Sequence, residues 1–181
     1  MKNDHRLDNR SPLVLDITAL RRRAGEMKSI QREVPAPAGL GIELIRVAEG
    51  SPIDLDLQLE SVVEGVLVTG TASADLVGEC ARCLVEVTDE QSFDLSELYY
   101  YPGKDAEEDA NWVENDTVDL EPALRDAIVL DLPFTPLCRD DCAGLCAVCG
   151  QNLNDDPSHS HDEPIDARWE KLADFASTED E

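Results

Sequence analysis

Six cysteines in three close pairs constrain this chain more than any other feature of its sequence. They stand as Cys80-Ala-Arg-Cys83, Cys138-Arg-Asp-Asp-Cys142 and Cys146-Ala-Val-Cys149-Gly150. A tight turn points two thiolates three residues apart toward one ion, and Gly150 lets the backbone pass close behind the second sulfur. Zinc takes four nitrogen or sulfur ligands in a tetrahedron, so each Cys-x-x-Cys supplies half a site. Disulfides are the other use of paired cysteines, and they belong to oxidising compartments. Residues Met1 to Pro12 are polar and offer no apolar core of a signal peptide. Every apolar stretch falls far short of the roughly 20 residues that a membrane span needs. The expectation is therefore a cytoplasmic protein whose cysteines hold metal.

Two histidines follow the last pair closely, in His159-Ser-His161. Asn154, Asp155, Asp156 and Pro157 turn the chain between them. Cys146, Cys149, His159 and His161 can close a mixed site, and Cys80, Cys83, Cys138 and Cys142 an all-thiolate one. That partition uses every cysteine once. Its rival is a single all-thiolate site, built from Cys138, Cys142, Cys146 and Cys149, or from Cys80 and Cys83 with one downstream pair. One or two zinc ions are thus expected. A full four-ligand sphere leaves no position for substrate or activated water, which makes such zinc structural.

The rest of the chain reads as an α+β fold: an antiparallel β-sheet or partial barrel, a few short helices and a C-terminal zinc-binding segment. Residues 1–12 read as a disordered lead, 13–132 as the core, 133–176 as the zinc-binding segment with a C-terminal helix, and 177–181 as a tail. Asp16 or Thr18 is expected to cap a helix through about Met27. From Leu40 onward strands are expected. Ile53, Leu55, Leu57 and Leu59 alternate with Asp54, Asp56, Gln58 and Glu60, the mark of a half-buried strand. Val62 to Val77 and Leu84 to Leu98 supply more strands, with Gly65 and Gly70 as turn or bulge points. Residues 103–116 are acidic and read as a mobile loop. Asp119 can cap a helix that tolerates Pro122 in its first turn, buries Leu120, Leu124, Ile128 and Leu132, and ends at Pro133. A last helix, about Ile165 to Ala176, would carry Ile165, Trp169, Leu172 and Phe175 on one stripe.

Charge narrows the partner class. The formal net charge is -25. Residues 1–46 hold nine basic and six acidic side chains, whereas residues 47–181 hold six basic and 34 acidic ones. The acidic bulk repels phosphate and attracts basic proteins. The basic run Arg21, Arg22, Arg23, Lys28 and Arg32 is the one candidate contact for RNA. There is no glycine-rich phosphate loop and no Gly-x-Ser-x-Gly elbow. The expectation is a non-enzymatic protein with no small-molecule substrate and no membrane role.

At its cysteines the chain resembles a known family. Cys80-Ala-Arg-Cys83-Leu84-Val-Glu86, following Val68-Thr-Gly70, is similar to that family's Cys-x-Arg-Cys-Leu signature. The run from Pro136 through Cys138, Cys142, Gly144, Cys146, Cys149 and Gly150 to Asn154 is similar to its second signature. Ile165-Asp166-Ala-Arg168-Trp169 resembles its closing segment, with Ala167 where proline is usual. This is the YceD family, the large ribosomal RNA subunit accumulation proteins of bacteria, and the resemblance spans roughly residues 13–176. It implies a role in making, processing or stabilising large-subunit ribosomal RNA. A basic ribosomal protein or assembly factor is then the expected partner, and ribosomal RNA the rival. Members often carry Cys-x-Cys where His159 and His161 stand here. Some relatives keep the first pair but lose the Cys146 and Cys149 equivalents, which implies that Cys80 and Cys83 pair with Cys138 and Cys142.

Overall fold

The computed structural model describes residues 11–20, 23–107 and 110–161. Its strands are β1 (Val14–Asp16), β2 (Met27–Pro35), β3 (Ile45–Val47), β4 (Pro52–Ser61), β5 (Gly65–Glu79), β6 (Glu86–Tyr100), β7 (Asn111–Trp112) and β8 (Thr117–Asp119), followed by one α-helix, α1 (Glu121–Asp131).

The main sheet runs β2-β4-β5-β6-β7, with β3 pairing with β5 beyond the end of β4. All its pairings are antiparallel except β6 with β7. The alternation in β4 is the pattern of burial: Ile53, Leu55, Leu57 and Leu59 are buried while Asp54, Asp56 and Gln58 face water. Their neighbours in register are Ala74, Ala72, Gly70 and Val68 on β5. Small residues at three of these four places let the covering layer approach closely. At Gly70 (φ +143°) a Cβ would stand 2.1 Å from the Asp56 carbonyl oxygen, so only glycine fits there.

The inner face is covered by the β1–β8 pair and α1, which join the sheet in one apolar core. Leu120, Leu124, Ile128 and Leu132 all lie buried on that side. Fully burying one such side chain contributes about 2 kcal/mol. The Glu121 N–H donates to Asp119 Oδ1 at 3.0 Å, Pro122 occupies the first turn, and extended backbone at Leu132 before Pro133 stops the helix. Arg125 ties α1 to the β2–β3 connection by donating to the carbonyls of Gly39 and Ala38. Tyr99 Oη donates to the Asp119 carbonyl at 2.9 Å and links β6 to the helix start.

Four expectations need correction. The stretch after Asp16 is a single 3-10 turn, Thr18–Leu20, and Met27–Pro35 is a strand. Lys28, Ile30, Arg32 and Val34 share the inner face, so two cations conceal a period of two. The sheets are open rather than a partial barrel, because among the described residues β2 and β7 remain unpaired edges. The described residues form mostly sheet and one α-helix, not several. The stretch 103–116 contains β7, whose two residues continue the ladder of β6. The lead up to Asn9 and Arg10, the proposed helix from Ile165 and the tail lie outside the described residues.

Candidate metal centres

Cys80 and Cys83 occupy the turn that joins β5 to β6. The Cys80 N–H donates to the Val85 carbonyl at 2.8 Å and the Leu84 N–H to the Cys80 carbonyl at 2.9 Å. This closes a knuckle with Leu84 in the left-handed region (φ 59°). The chain leaving α1 brings Cys138 and Cys142 against it. Three contacts fix the approach: the Ala81 N–H to the Pro136 carbonyl at 2.8 Å, Arg82 Nη1 to the Cys142 carbonyl at 3.0 Å, and the Leu145 N–H to the Arg82 carbonyl at 3.1 Å.

The result is a compact four-sulfur cluster. Cys80 Sγ lies 3.8 Å from Cys142 Sγ, and Cys83 Sγ lies 3.6 Å from Cys138 Sγ. All four sulfurs fall within 4.8 Å of one another. A tetrahedron with metal–sulfur bonds of about 2.3 Å has edges of about 3.8 Å, so these spacings suit one ion at the centre. They are far beyond the roughly 2.05 Å of a disulfide, and all six cysteines are free. Val87, Leu137 and Leu145 pack around three buried sulfurs, while Cys138 is exposed.

The protons on this cluster are unevenly held. Burial pushes the Cys80 thiol up, but N–H groups of Cys138, Arg82 and Cys83 outweigh it and bring the thiol down to about 6. The Asn154 side-chain amide, with the Gly144 N–H, lowers Cys142. The Val85 N–H pulls Cys83 down, yet burial and the neighbouring sulfurs leave it raised. Burial and the same neighbours push Cys138 up to about 12. The cluster therefore gives up protons most readily at Cys80 and Cys142 and holds them at Cys83 and Cys138.

A second cluster begins four residues after Cys142. The Gly150 N–H donates to the Cys146 carbonyl at 2.8 Å and the Val148 N–H to Cys146 Sγ at 3.4 Å, a second knuckle. The chain returns through Asp156, whose carboxylate accepts from Ser158 Oγ at 2.7 Å and whose carbonyl accepts from the His159 N–H at 3.1 Å. His159 Nε2 and His161 Nε2 each lie 3.2 Å from Cys149 Sγ and 2.8 Å from each other. With Cys146 Sγ these atoms also fall within 4.8 Å of one another. N–H groups of Cys149 and Val148 bring the Cys146 thiol down to about 6. This cluster is open, with Cys149 exposed.

Asn154, in the stretch between Cys149 and His159, reaches the first cluster. Its Nδ2 donates to Cys142 Sγ at 3.4 Å, while its Oδ1 accepts from the Ala143 N–H at 2.8 Å and from Arg139 Nη2 at 2.7 Å. Sequence reading gives Asn154 only a turn role and gives Arg82 none beyond its place in a signature. Their contacts depend on segments that sequence spacing does not bring together.

The described basic residues are engaged locally rather than presented together to solvent. Arg21 and Arg22 lie outside the described residues. Arg23 is exposed and stands 4.0 Å from Glu26. Lys28 Nζ donates to the Asp16 carbonyl at 2.7 Å. Arg32 is half-buried, and its Nε and Nη2 have no partner.

Residues 68–176, which span both clusters, match the family described as Large ribosomal RNA subunit accumulation protein YceD. The chain belongs to the YceD family. It is 47% identical to an uncharacterised protein of Mycobacterium tuberculosis over 93% of its own length and 84% of that protein's. An uncharacterised protein of Mycobacterium leprae is also 47% identical, over 91% of this chain and 78% of its own. More distant is a maize protein named Large ribosomal RNA subunit accumulation protein YCED homolog 1, chloroplastic, 24% identical over 80% of this chain and 47% of its own. No solved structure matches. Membership of the YceD family places the chain among proteins related to ribosome production. Among the described residues no helix is long and apolar enough to cross a membrane.

Proposed function

We propose that this YceD-family chain is a non-enzymatic, cytoplasmic accessory factor that supports the synthesis, processing or stability of large-subunit ribosomal RNA by binding a basic ribosomal protein or assembly factor. The observation that carries the reading is the family match across the two cysteine signatures, joined to an acidic body of residues 47–181. Such a body repels ribosomal RNA and attracts the cationic proteins that accompany it. Cys80, Cys83, Cys138 and Cys142 hold one zinc ion and Cys146, Cys149, His159 and His161 a second. Sulfur and imidazole donors in tetrahedral array suit zinc over harder cations. Both spheres are complete with protein ligands, so the zinc staples the 133–161 segment to the 13–132 core and performs no reaction.

Capture from native lysate with and without nuclease tests the reading. A basic protein should be retained after nuclease treatment and released by salt. Capture of ribosomal RNA alone, lost with nuclease, would establish the rival reading of direct RNA binding through Arg21, Arg22, Arg23, Lys28 and Arg32. The inward placement of Lys28 and Arg32, with Lys28 already donating to the Asp16 carbonyl, argues against that rival.

A further inference from the structure

The outer face of the main sheet, opposite the core, is covered by none of the described segments. Its rows can be read from the register. Met27, Glu60, Leu67 and Leu98 stand side by side across β2, β4, β5 and β6. Tyr100 extends this end, with its ring 6.0 Å from that of Trp112. Met27 is 57% and Trp112 37% exposed, so the end of the face is an apolar band open to water.

Beyond the band the face turns acidic. Glu33, Asp54, Asp56, Asp75 and Asp94 all point outward; β2, β4, β5 and β6 place no lysine or arginine among them, and β3 adds one cation, Arg46, opposite Val77 at the far end. Three cross-strand partners carry like charge: Glu33 opposite Asp54, Asp75 opposite Glu90, and Glu79 opposite Glu86. Like charges directly opposite each other destabilise a sheet. Among the described residues, none of these carboxylates takes part in an ion pair. Between them lie Thr69, Thr71, Ser73 and Ser92, short side chains that let another main chain approach closely. A local conflict of this kind, repeated on one face, is what a surface shaped for a partner shows.

We infer that this outer face is the docking surface for an extended, lysine- or arginine-rich segment of the basic partner, anchored by one aromatic or aliphatic residue on the band formed by Met27, Leu67, Leu98, Tyr100 and Trp112. The occupant follows from charge complementarity and spacing. Asp54 and Asp56 recur every second residue along β4, about 6.8 Å apart, which is the repeat of alternate side chains in an extended peptide. The inference rests on the reading of a basic protein partner and specifies where that partner sits.

The test uses the full chain loaded with zinc and a fluorescent probe peptide of alternating lysine and serine ending in tryptophan. Combined D54N, D56N and D94N should weaken the probe about tenfold. The equal charge change D105N, D126N and D140N, placed off this face, should leave affinity within about twofold. Combined M27S and W112S should weaken this probe but not one lacking tryptophan. Backbone amide shifts on probe addition should map to β2, β4, β5 and β6, which answers the question even if a variant folds poorly. Equal losses from both acidic triples, or no loss from the first, overturn the assignment. So does a dimer of the chain that M27S with W112S dissociates, or proton contacts placing Trp169 against Leu98. The two claims part in lysate: nuclease-resistant capture of a basic protein that persists in the D54N, D56N and D94N variant defeats only the face. Failure of the native chain to capture any basic protein defeats both.

Discussion

Asn154 donates its side-chain amide to the sulfur of Cys142, 3.4 Å away, although Asn154 lies in the loop that closes the other cluster. A donor to a ligating sulfur fixes its orientation and stabilises the thiolate, and removing such an outer partner costs 10- to 100-fold in metal affinity. Asn154→Ala should therefore weaken the four-sulfur site by about tenfold while keeping all eight ligands. Competition against a chromophoric chelator measures this. An affinity equal to that of the unaltered chain would show that the contact carries no energy.

The two clusters should differ in what they hold together. Cys80 is fully buried and links the β5–β6 turn to a segment some sixty residues later. Cys149 is exposed, and its cluster closes a local loop. Metal analysis should give about two zinc ions per chain, the second of which leaves first on addition of EDTA. Cys80→Ser should lower the melting temperature of the whole sheet. His159→Ala should remove one ion and leave the main transition in place. Identical melting losses from the two substitutions would contradict this order.

The split of protons over the four-sulfur cluster sets a pH dependence. Cys80, brought down to about 6, is a thiolate at pH 7, and the Asn154 amide lowers Cys142 in the same direction. Cys83 is raised and Cys138 is pushed up to about 12, so both still carry protons. Zinc needs four thiolates, so binding there should release the protons of Cys83 and Cys138 but fewer than four in all, read by calorimetry in buffers of different ionisation enthalpy. For the metal-free fold the signs differ by residue. The contribution of Cys80 is complete above the ordinary thiol value of 9.0 and is lost as pH falls through about 6. That of Cys138 is complete below 9.0 and is lost as pH rises through about 12. A release of four protons at pH 7 would refute the split.

Gly70 tests the packing of the central strands. A Cβ there would meet the Asp56 carbonyl oxygen at 2.1 Å, and φ is +143°. Gly70→Ala should cost about 3 kcal/mol or more in urea unfolding, because backbone rather than a flexible side chain must move. Gly50 also has positive φ (+78°) but nothing within 4 Å of its Cβ position. Gly50→Ala should cost only about 1 kcal/mol. Equal costs at the two positions would mean that β5 relaxes freely at Gly70.

Much of this architecture is legible from side-chain period alone. The alternation from Ile53 to Glu60 gives β4, and the spacing of Leu120, Leu124, Ile128 and Leu132 gives α1. Where period is disguised, reading fails. Lys28 and Arg32 take inward places that apolar residues usually fill, so β2 shows no apolar alternation and is missed. Strand β7 has two residues, and its partner strand rather than its own pattern creates it. Closure of a barrel depends on which edges meet, which no local pattern records. At the clusters, the ligand spacing is in the sequence. Asn154 on Cys142 and Arg82 between the loops are not, since each joins segments that only the tertiary fold brings together. The like-charged pairs Glu33–Asp54 and Asp75–Glu90 likewise emerge only with the register.

Arg32 offers a last prediction, and one that bears on the rival RNA reading. It sits on the inner face of the edge strand β2, in register with Leu55, and its Nε and Nη2 are buried without partners. Loss of hydration lowers its pKa, the direction expected for a cation that has given up water and gained no acceptor. Replacing an unsatisfied polar group by an apolar one of similar length removes that cost. Arg32→Met should therefore raise stability by about 1 kcal/mol in urea unfolding. Because the guanidinium turns toward the core, the same substitution should leave any binding of ribosomal RNA unchanged. A loss of stability, together with a fall in the salt dependence of RNA binding by about one unit, would mean that Arg32 reaches a phosphate and that the basic run is an RNA contact after all.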